Sequence, residues 1–251
     1  MPHTPLLIAV HSPLVGPATW QPVAELLRGR GQGQGRGRGR YDVMVPSLHG
    51  IAAGPGPYAR RIADQVARTV PDNDEHRGEI VLAGHSGAGA CLPAIADALT
   101  NALGSRVIGA AFVDAQLPRP GLSDFDASPP DFREALGAMA VDGMLPPWNQ
   151  WFPPELVPEL IPQAQQRKAF LAELHPIALA YFEEPMPDTV LPSETQCLYL
   201  QLSEGYQEQA DRAEALGWPT SRLAADHLAV LTDPEPVADF LSEFVETLAN
   251  R

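Results

Sequence analysis

Residues 80–89 read IVLAGHSGAG, an apolar run that leads into small residues on both sides of Ser86. The apolar half predicts a buried strand over residues 79–83, and helical periodicity follows the small residues. A serine between a strand and a helix can be held on a sharp, strained turn at the carboxyl edge of a sheet. Gly84 and Ala88 are small enough to let that strand and helix approach each other. The segment therefore predicts a nucleophile elbow with Ser86 at its tip.

On both sides of this segment the chain alternates short apolar runs with helical periodicity. Strands are predicted at 6–10, 41–45, 79–83, 107–113, 196–202 and 220–224, and helices at 20–27, 58–70, 92–103, 207–216 and from 234 onward. Strands that alternate with helices favour a mostly parallel sheet that is covered by helices on both faces. We therefore expect an α/β fold with about six strands.

Residues 115–195, called the cap segment below, differ from the rest of the chain. They hold 14 of the 27 prolines and 8 of the 17 Phe, Trp and Tyr residues, and no strand is obvious among them. Helical fragments are predicted at 131–141, 154–161, 163–174 and 177–182. We expect a helical cap or lid that is inserted into a core formed by residues 1–114 and 196–251.

The composition of the chain argues against several classes of binding partner. Lys plus Arg is 17 and Asp plus Glu is 31, so the net charge of −14 repels phosphate backbones and argues against nucleic acid. No apolar run approaches the roughly 20 residues that span a bilayer, and no signal peptide is recognised. Two cysteines without Cys/His spacing favour neither a disulfide framework nor a metal. We expect a cytoplasmic monomer or homodimer that acts on a small molecule without metal or cofactor.

The Gly/Arg-rich stretch 28–40 predicts a flexible surface loop.

A histidine near the end of the chain completes the chemical pattern. His227 follows the last predicted strand and precedes the terminal helix, so it can reach over the sheet edge toward Ser86. As a general base it would take the serine proton and later return it to the leaving group.

The chain resembles the α/β-hydrolase superfamily, in particular capped bacterial members with a serine nucleophile. The resemblance rests on residues 11–20, HSPLVGPATW, which are similar to the family's HG…W segment, on the elbow at 84–88, and on the late His227. It covers nearly the whole chain. It implies the α/β-hydrolase fold, about six mostly parallel strands flanked by helices, with a helical cap inserted before the last two strands.

The resemblance also implies a catalytic triad of Ser86, His227 and an acid. The family usually places the acid after the strand that follows the cap, where Glu204 stands, so Glu204 is the first choice. Asp114, at the end of the preceding strand, is the alternative. Asp226 is a direct neighbour of His227 in the chain and is badly placed to orient its imidazole.

An oxyanion hole is the least regular part of the resemblance. Family members use the backbone N–H after the nucleophile, here Gly87, and one N–H from the loop after the first strand. The usual second position is occupied by Pro13, which has no N–H. We predict the Leu14 N–H as the second donor, with the Ser12 hydroxyl as a further possibility.

The resemblance implies a serine hydrolase that cleaves a small, hydrophobic carboxylic ester, lactone or thioester through an acyl-enzyme. His11, Pro13, His85, Trp148 and Trp151 are the predicted substrate-pocket residues, with both histidines as packing or hydrogen-bonding groups rather than second bases. Two alternatives stay open: a non-hydrolytic tailoring enzyme (cyclisation, elimination or acyl transfer) and a ligand-binding pseudo-hydrolase. Dinucleotide binding is disfavoured, because no G-x-G-x-x-G is present.

Overall fold

Six parallel strands form one sheet in the computed structural model, which describes residues 5–30, 41–51, 56–71 and 78–250. The strands are β1 (Leu6–Val10), β2 (Val43–Met44), β3 (Glu79–Ser86), β4 (Arg106–Ala115), β7 (Gln196–Gln201) and β8 (Thr220–Arg222), and they lie in the order β2-β1-β3-β4-β7-β8. β3 and β4 are therefore the two central strands. The predicted α/β-hydrolase fold, with six strands, is confirmed.

Helices cover both faces of the sheet. They are α1 (Gln21–Arg30), α2 (Tyr58–Thr69), α3 (Ala88–Leu103), α8 (Gln207–Ala215), α9 (Ala229–Thr232) and α10 (Pro234–Ala249). Buried side chains of α2, α3 and α8 share one apolar cluster with the sheet. Those of α1, α9 and α10 share the cluster on the opposite face. The alternation of side chains along each strand supplies both clusters, as expected for a sheet that is buried on both sides.

The cap segment contains four short helices and a small second sheet. Its elements are α4 (Pro130–Met139), β5 (Met144–Leu145), α5 (Leu156–Leu160), α6 (Ala164–Ala172), β6 (Ile177–Ala178) and α7 (Ala180–Glu183). β5 and β6 pair antiparallel, with Leu145 opposite Ile177. The helix predicted over 177–182 is therefore wrong at its start. Strands of two residues leave no periodicity in the sequence by which they could be recognised.

The stretch 28–40 is also corrected in part. Its first three residues form the last turn of α1, whereas residues 31–40 lie outside the described part of the chain. Arg28 donates a hydrogen bond to the carbonyl oxygen of Val43 at 2.7 Å, and Arg30 pairs with Asp239 of α10 at 2.7 Å. These partners hold the helix end against the sheet and α10, so composition alone was misleading here.

The carboxyl edge of the sheet gathers the residues of chemical interest. β3 ends at Ser86, β4 ends one residue after Asp114, and His227 lies in the loop after β8. Parallel strands place all their carboxyl ends on one edge, which is where open α/β sheets bind ligands. Within the described residues, no helix is both long enough and apolar enough to cross a bilayer.

Candidate active site

The turn around Ser86 is strained and closely packed. Ser86 has a φ of 58°, in the left-handed region that costs a non-glycine residue about 1–3 kcal/mol. A Cβ on Gly84 would lie 3.1 Å from the Cα and backbone N of Gly89. A Cβ on Gly89 would lie 2.3 Å from the carbonyl oxygen of Gln116. Gly89 therefore leaves no room for a side chain against the end of β4, and Gly84 lies in tight contact with the start of the helix that follows the serine.

An acid–histidine pair lies at the same edge. The Nδ1 of His227 is 2.7 Å from Oδ2 of Asp114, whose side chain is fully buried. Glu204, the first choice from the sequence, is exposed and lies in a single 3-10 turn over Glu204–Tyr206. The structure therefore pairs His227 with Asp114, the alternative from the sequence, and not with Glu204. Since β7 lies between β4 and β8, an acid at the end of β4 can reach across to the loop after β8.

Both oxygens of the Asp114 carboxylate accept hydrogen bonds. Besides His227, it accepts hydrogen bonds from the N–H groups of Leu202 and Ser203 at 2.8 and 3.0 Å, and from the Ser203 hydroxyl at 2.6 Å. Burial by itself would raise the pKa of Asp114. The hydrogen bonds from His227 and Ser203 outweigh it and lower the pKa below its ordinary value. Asp114 is thus held as an anion that orients the imidazole.

Two aromatic rings stack on His227. The ring of His85 stacks on it at a centroid distance of 4.5 Å, and the ring of Tyr206 stacks on the imidazole at 4.8 Å with an interplanar angle of 2°. A hydrogen bond of 3.1 Å joins the Tyr206 hydroxyl to Oγ of Ser86. Tyr206 therefore contacts both the serine and the histidine. In the described part of the chain, the hydrogen-bond partner of the Ser86 hydroxyl is Tyr206 and not His227.

The sequence does not identify Tyr206 as a site residue, although it draws attention to the loop after β7, in which Tyr206 lies. It stands two residues after Glu204, and nothing in the local pattern separates a tyrosine that turns inward from one that packs on the surface. Burial raises its pKa to about 12, so the hydroxyl keeps its proton at neutral pH.

The two predicted pocket histidines are buried and neutral. The N–H of His85 Nε2 donates to the carbonyl oxygen of His227 at 2.8 Å, and burial holds the pKa of His85 well below its ordinary value. His11 accepts a hydrogen bond from the N–H of Leu48 at Nε2, so its Nδ1 donates to the carbonyl oxygen of Ser12 at 2.8 Å. Burial lowers the pKa of His11 to about 4. Both rings therefore position backbone of the site loops and are poor bases.

The loop after β1 does not supply the predicted second N–H. The Leu14 N–H donates to Oγ of Ser12, at 3.3 Å, so it is directed at a side chain of its own loop. Pro13 lies beside Gly87, with its Cδ 3.8 Å from a Cβ placed on that glycine. We therefore do not assign Leu14 to the oxyanion hole. Ser12 is buried, and its hydroxyl lies 3.6 Å from the same Cβ position.

The two predicted pocket tryptophans belong to different aromatic groups of the cap segment. The ring of Trp148 lies at centroid distances of 5.1 Å from Phe152 and 6.0 Å from Phe170. It also packs on the apolar cluster that includes Val15 and Leu228. Trp151 donates from Nε1 to the carbonyl oxygen of Pro146 at 2.8 Å. The Trp148 group therefore joins the cap to the loops that follow β1 and β8.

The cap segment also holds a partly buried carboxyl group, Asp124, and this predicts a pH-dependent stability. Burial raises the pKa of Asp124 to about 6 from 3.8, and the charge of Arg119 offsets this only in part. The folded state thus holds the proton more tightly than the unfolded state. The resulting loss in the free energy of unfolding is absent below about pH 4, grows up to about pH 6, and reaches at most about 3 kcal/mol.

Asp124→Asn is expected to raise the free energy of unfolding at pH 7.5 and to leave it nearly unchanged at pH 4, as measured by urea denaturation. Asp126→Asn is the matched control, because Asp126 is exposed and the hydrogen bonds from Ser123 lower its pKa. That variant should not gain stability at pH 7.5. An equal gain for Asp124→Asn at both pH values would contradict the electrostatic explanation.

The fold and the strained serine turn define the class of protein, a hydrolase of the α/β type. The chain belongs to the alpha/beta hydrolase family, whose family model matches residues 7–240. No curated protein sequence matches the chain at a significant level.

Solved structures show the same fold across almost the whole chain. The pyrethroid hydrolase from Sphingobium faniae JZ-2 is 20% identical, with a TM-score of 0.70 over 98% of this chain and 99% of that one. A thermophilic esterase from Thermogutta terrifontis is 19% identical, with a TM-score of 0.61 over 98% and 90%. The thioesterase domain from the curacin biosynthetic pathway is 15% identical, with a TM-score of 0.52 over 98% and 92%. At these identities the likeness shows the fold alone.

Proposed function

We propose that this protein is a serine hydrolase that cleaves a small, hydrophobic carboxylic ester, lactone or thioester. Ser86 is the nucleophile, His227 the general base and Asp114 the acid that orients the imidazole. The observation that carries the proposal is the 2.7 Å contact between His227 and Asp114, at the sheet edge where the strained turn presents Ser86. Nucleophile, base and orienting acid are the three parts of nucleophilic acyl transfer.

The proposed reaction proceeds in two halves. In the first, Oγ of Ser86 bonds to the acyl carbon, its proton passes to Nε2 of His227, and the carbonyl π electrons move to oxygen. Collapse of this intermediate breaks the C–O or C–S bond, and the leaving group takes the proton from His227. In the second half, water repeats the sequence on the acyl-enzyme and releases the acid and free Ser86.

Tyr206 has a role in these reaction steps. Its hydroxyl bonds to Ser86 in the structure, and its ring stacks on His227. We infer that the Ser86 hydroxyl exchanges this partner for His227 when substrate binds, since catalytic hydrogen bonds commonly tighten only in the substrate complex. Stacking by His85 and Tyr206 helps to keep the imidazole in the plane in which Asp114 holds it.

The preference for an apolar acyl or ring group is supported by the cap segment, which we propose acts as a lid. Trp148 and its aromatic partners pack against the loops that carry the site residues. The three similar proteins named above are a pyrethroid hydrolase, an esterase and a thioesterase, which supports esters and thioesters as substrates. We place the protein in the cytoplasm, since Cys91 and Cys197 are both free thiols.

A labelling experiment tests the proposal directly. The wild-type protein should react with a fluorophosphonate probe at Ser86, because labelling requires an activated serine. The same preparation should hydrolyse members of a panel of p-nitrophenyl esters and acyl thioesters, with short apolar acyl groups preferred over charged ones. An unlabelled protein that turns over no member of the panel would contradict a serine hydrolase.

The absence of an N–H at Pro13 favours one second candidate, a protein of this fold that binds a ligand or rearranges it without hydrolysis. Losing one oxyanion donor typically reduces the rate by roughly 10²–10³-fold. Labelling at Ser86 without release of acid from any ester would favour this candidate. Product analysis with protein that has not been exposed to the probe would then separate acyl transfer or cyclisation from simple binding.

A further inference from the structure

The proposed reaction requires a second donor for the oxyanion, and the loop after β1 does not provide a backbone one. Gly87 supplies the first N–H. Pro13 has none, and the N–H of Leu14 is engaged by Ser12. The second donor therefore has to be a side chain, and it has to lie beside Gly87, because the oxyanion forms next to the nucleophile.

A tyrosine of the cap segment lies at this place. The hydroxyl oxygen of Tyr181 is 3.3 Å from a Cβ placed on Gly87, nearer than the Ser12 hydroxyl at 3.6 Å. Tyr181 is only 3% exposed. Within the described residues its hydroxyl makes no hydrogen bond, and its oxygen is not among the fully enclosed unpaired atoms, so the oxygen keeps some accessible surface.

The ring of Tyr181 is held firmly. It packs edge-on against Tyr58 of α2 at a centroid distance of 5.6 Å and against Phe182 at 4.9 Å. A donor that is fixed before the reaction loses little freedom in the transition state, and this is the property that makes an oxyanion hole effective. Burial also raises the pKa of Tyr181 well above its ordinary value, so the hydroxyl retains the proton that it would donate.

We propose that the Tyr181 hydroxyl is the second oxyanion donor, supplied by the cap segment in place of the backbone N–H that Pro13 lacks. This inference rests on the proposed function. As the acyl carbon becomes tetrahedral, the Gly87 N–H and the Tyr181 O–H both donate to the oxyanion, and no proton leaves either group. The cap segment thereby completes the site as well as covering it.

Tyr181→Phe tests the inference, because it removes one oxygen and keeps the ring. We expect kcat for a p-nitrophenyl ester to fall roughly 10²-fold with KM changed by less than threefold, and the thermal midpoint to stay within a few degrees. The rate of fluorophosphonate labelling should fall in parallel, since the phosphoryl oxygen occupies the same hole. Tyr41→Phe is the matched control, because the Tyr41 hydroxyl bonds to Ser242 of α10, and it should leave kcat and the labelling rate unchanged.

The results separate the possible failures. If wild-type protein is labelled and active but Tyr181→Phe keeps kcat within threefold, the inference is wrong. The same holds if only KM rises, which would indicate a packing role. If Ser12→Ala lowers kcat and Tyr181→Phe does not, the donor is Ser12 and the inference is again overturned. If wild-type protein is neither labelled nor active, the proposed function itself fails, and this is seen before any variant is made.

Discussion

Ser86→Ala is expected to reduce ester hydrolysis by roughly 10⁴-fold or more while the protein stays folded. The substitution removes the only atom that forms the covalent bond in the proposed mechanism. It leaves the strained backbone at φ 58° and loses one partly buried hydrogen bond, to Tyr206. The thermal midpoint should therefore shift by no more than a few degrees.

The measurement is kcat/KM with the best p-nitrophenyl ester, together with fluorophosphonate labelling and circular dichroism. Ser221→Ala is a suitable control, since Ser221 is an exposed serine on the edge strand β8. It should behave as wild type in all three measurements. A Ser86→Ala protein that retains more than one hundredth of the wild-type activity would show that the esterase activity does not depend on this serine.

Asp114→Asn is expected to reduce kcat by roughly 10³–10⁴-fold, the size of effect seen when a triad acid is replaced by its amide. In the structure, Oδ2 of Asp114 accepts hydrogen bonds from His227 and from the Ser203 hydroxyl. An amide NH₂ at this position cannot accept the bond from Nδ1–H, so it favours the wrong imidazole tautomer. Oδ1 can still accept the two backbone bonds, and the fold is therefore expected to survive.

Glu204→Gln is the matched control for the acid, because it makes the same chemical change at the residue that the sequence favoured. Glu204 is exposed, and its substitution should leave kcat/KM within about twofold of wild type. Steady-state kinetics on both variants, with circular dichroism for folding, decides the matter. A large loss in Glu204→Gln together with near-normal activity in Asp114→Asn would reverse the assignment of the acid.

The difference between Glu204 and Asp114 shows where reasoning from the sequence stops. Both carboxylates follow or end a predicted strand, so both were reasonable candidates. The distinction depends on the path of the loop after β7. Its N–H groups at Leu202 and Ser203 close on the Asp114 carboxylate, and the chain then turns outward at Glu204. Such contacts join residues about 90 positions apart and have no local signature.

The chain's local patterns were enough to predict the six strands, the family, the serine turn and the position of His227 at the same sheet edge. These features follow from periodicity, from the small size of Gly84 and Ala88, and from the rule that parallel strands end on one edge. Tertiary structure alone decided the partner of His227, the inward turn of Tyr206 and the approach of the Tyr181 hydroxyl to Gly87. The physical reason is that hydrogen bonds and ring contacts between distant segments depend on side-chain directions, which are set only when the segments pack.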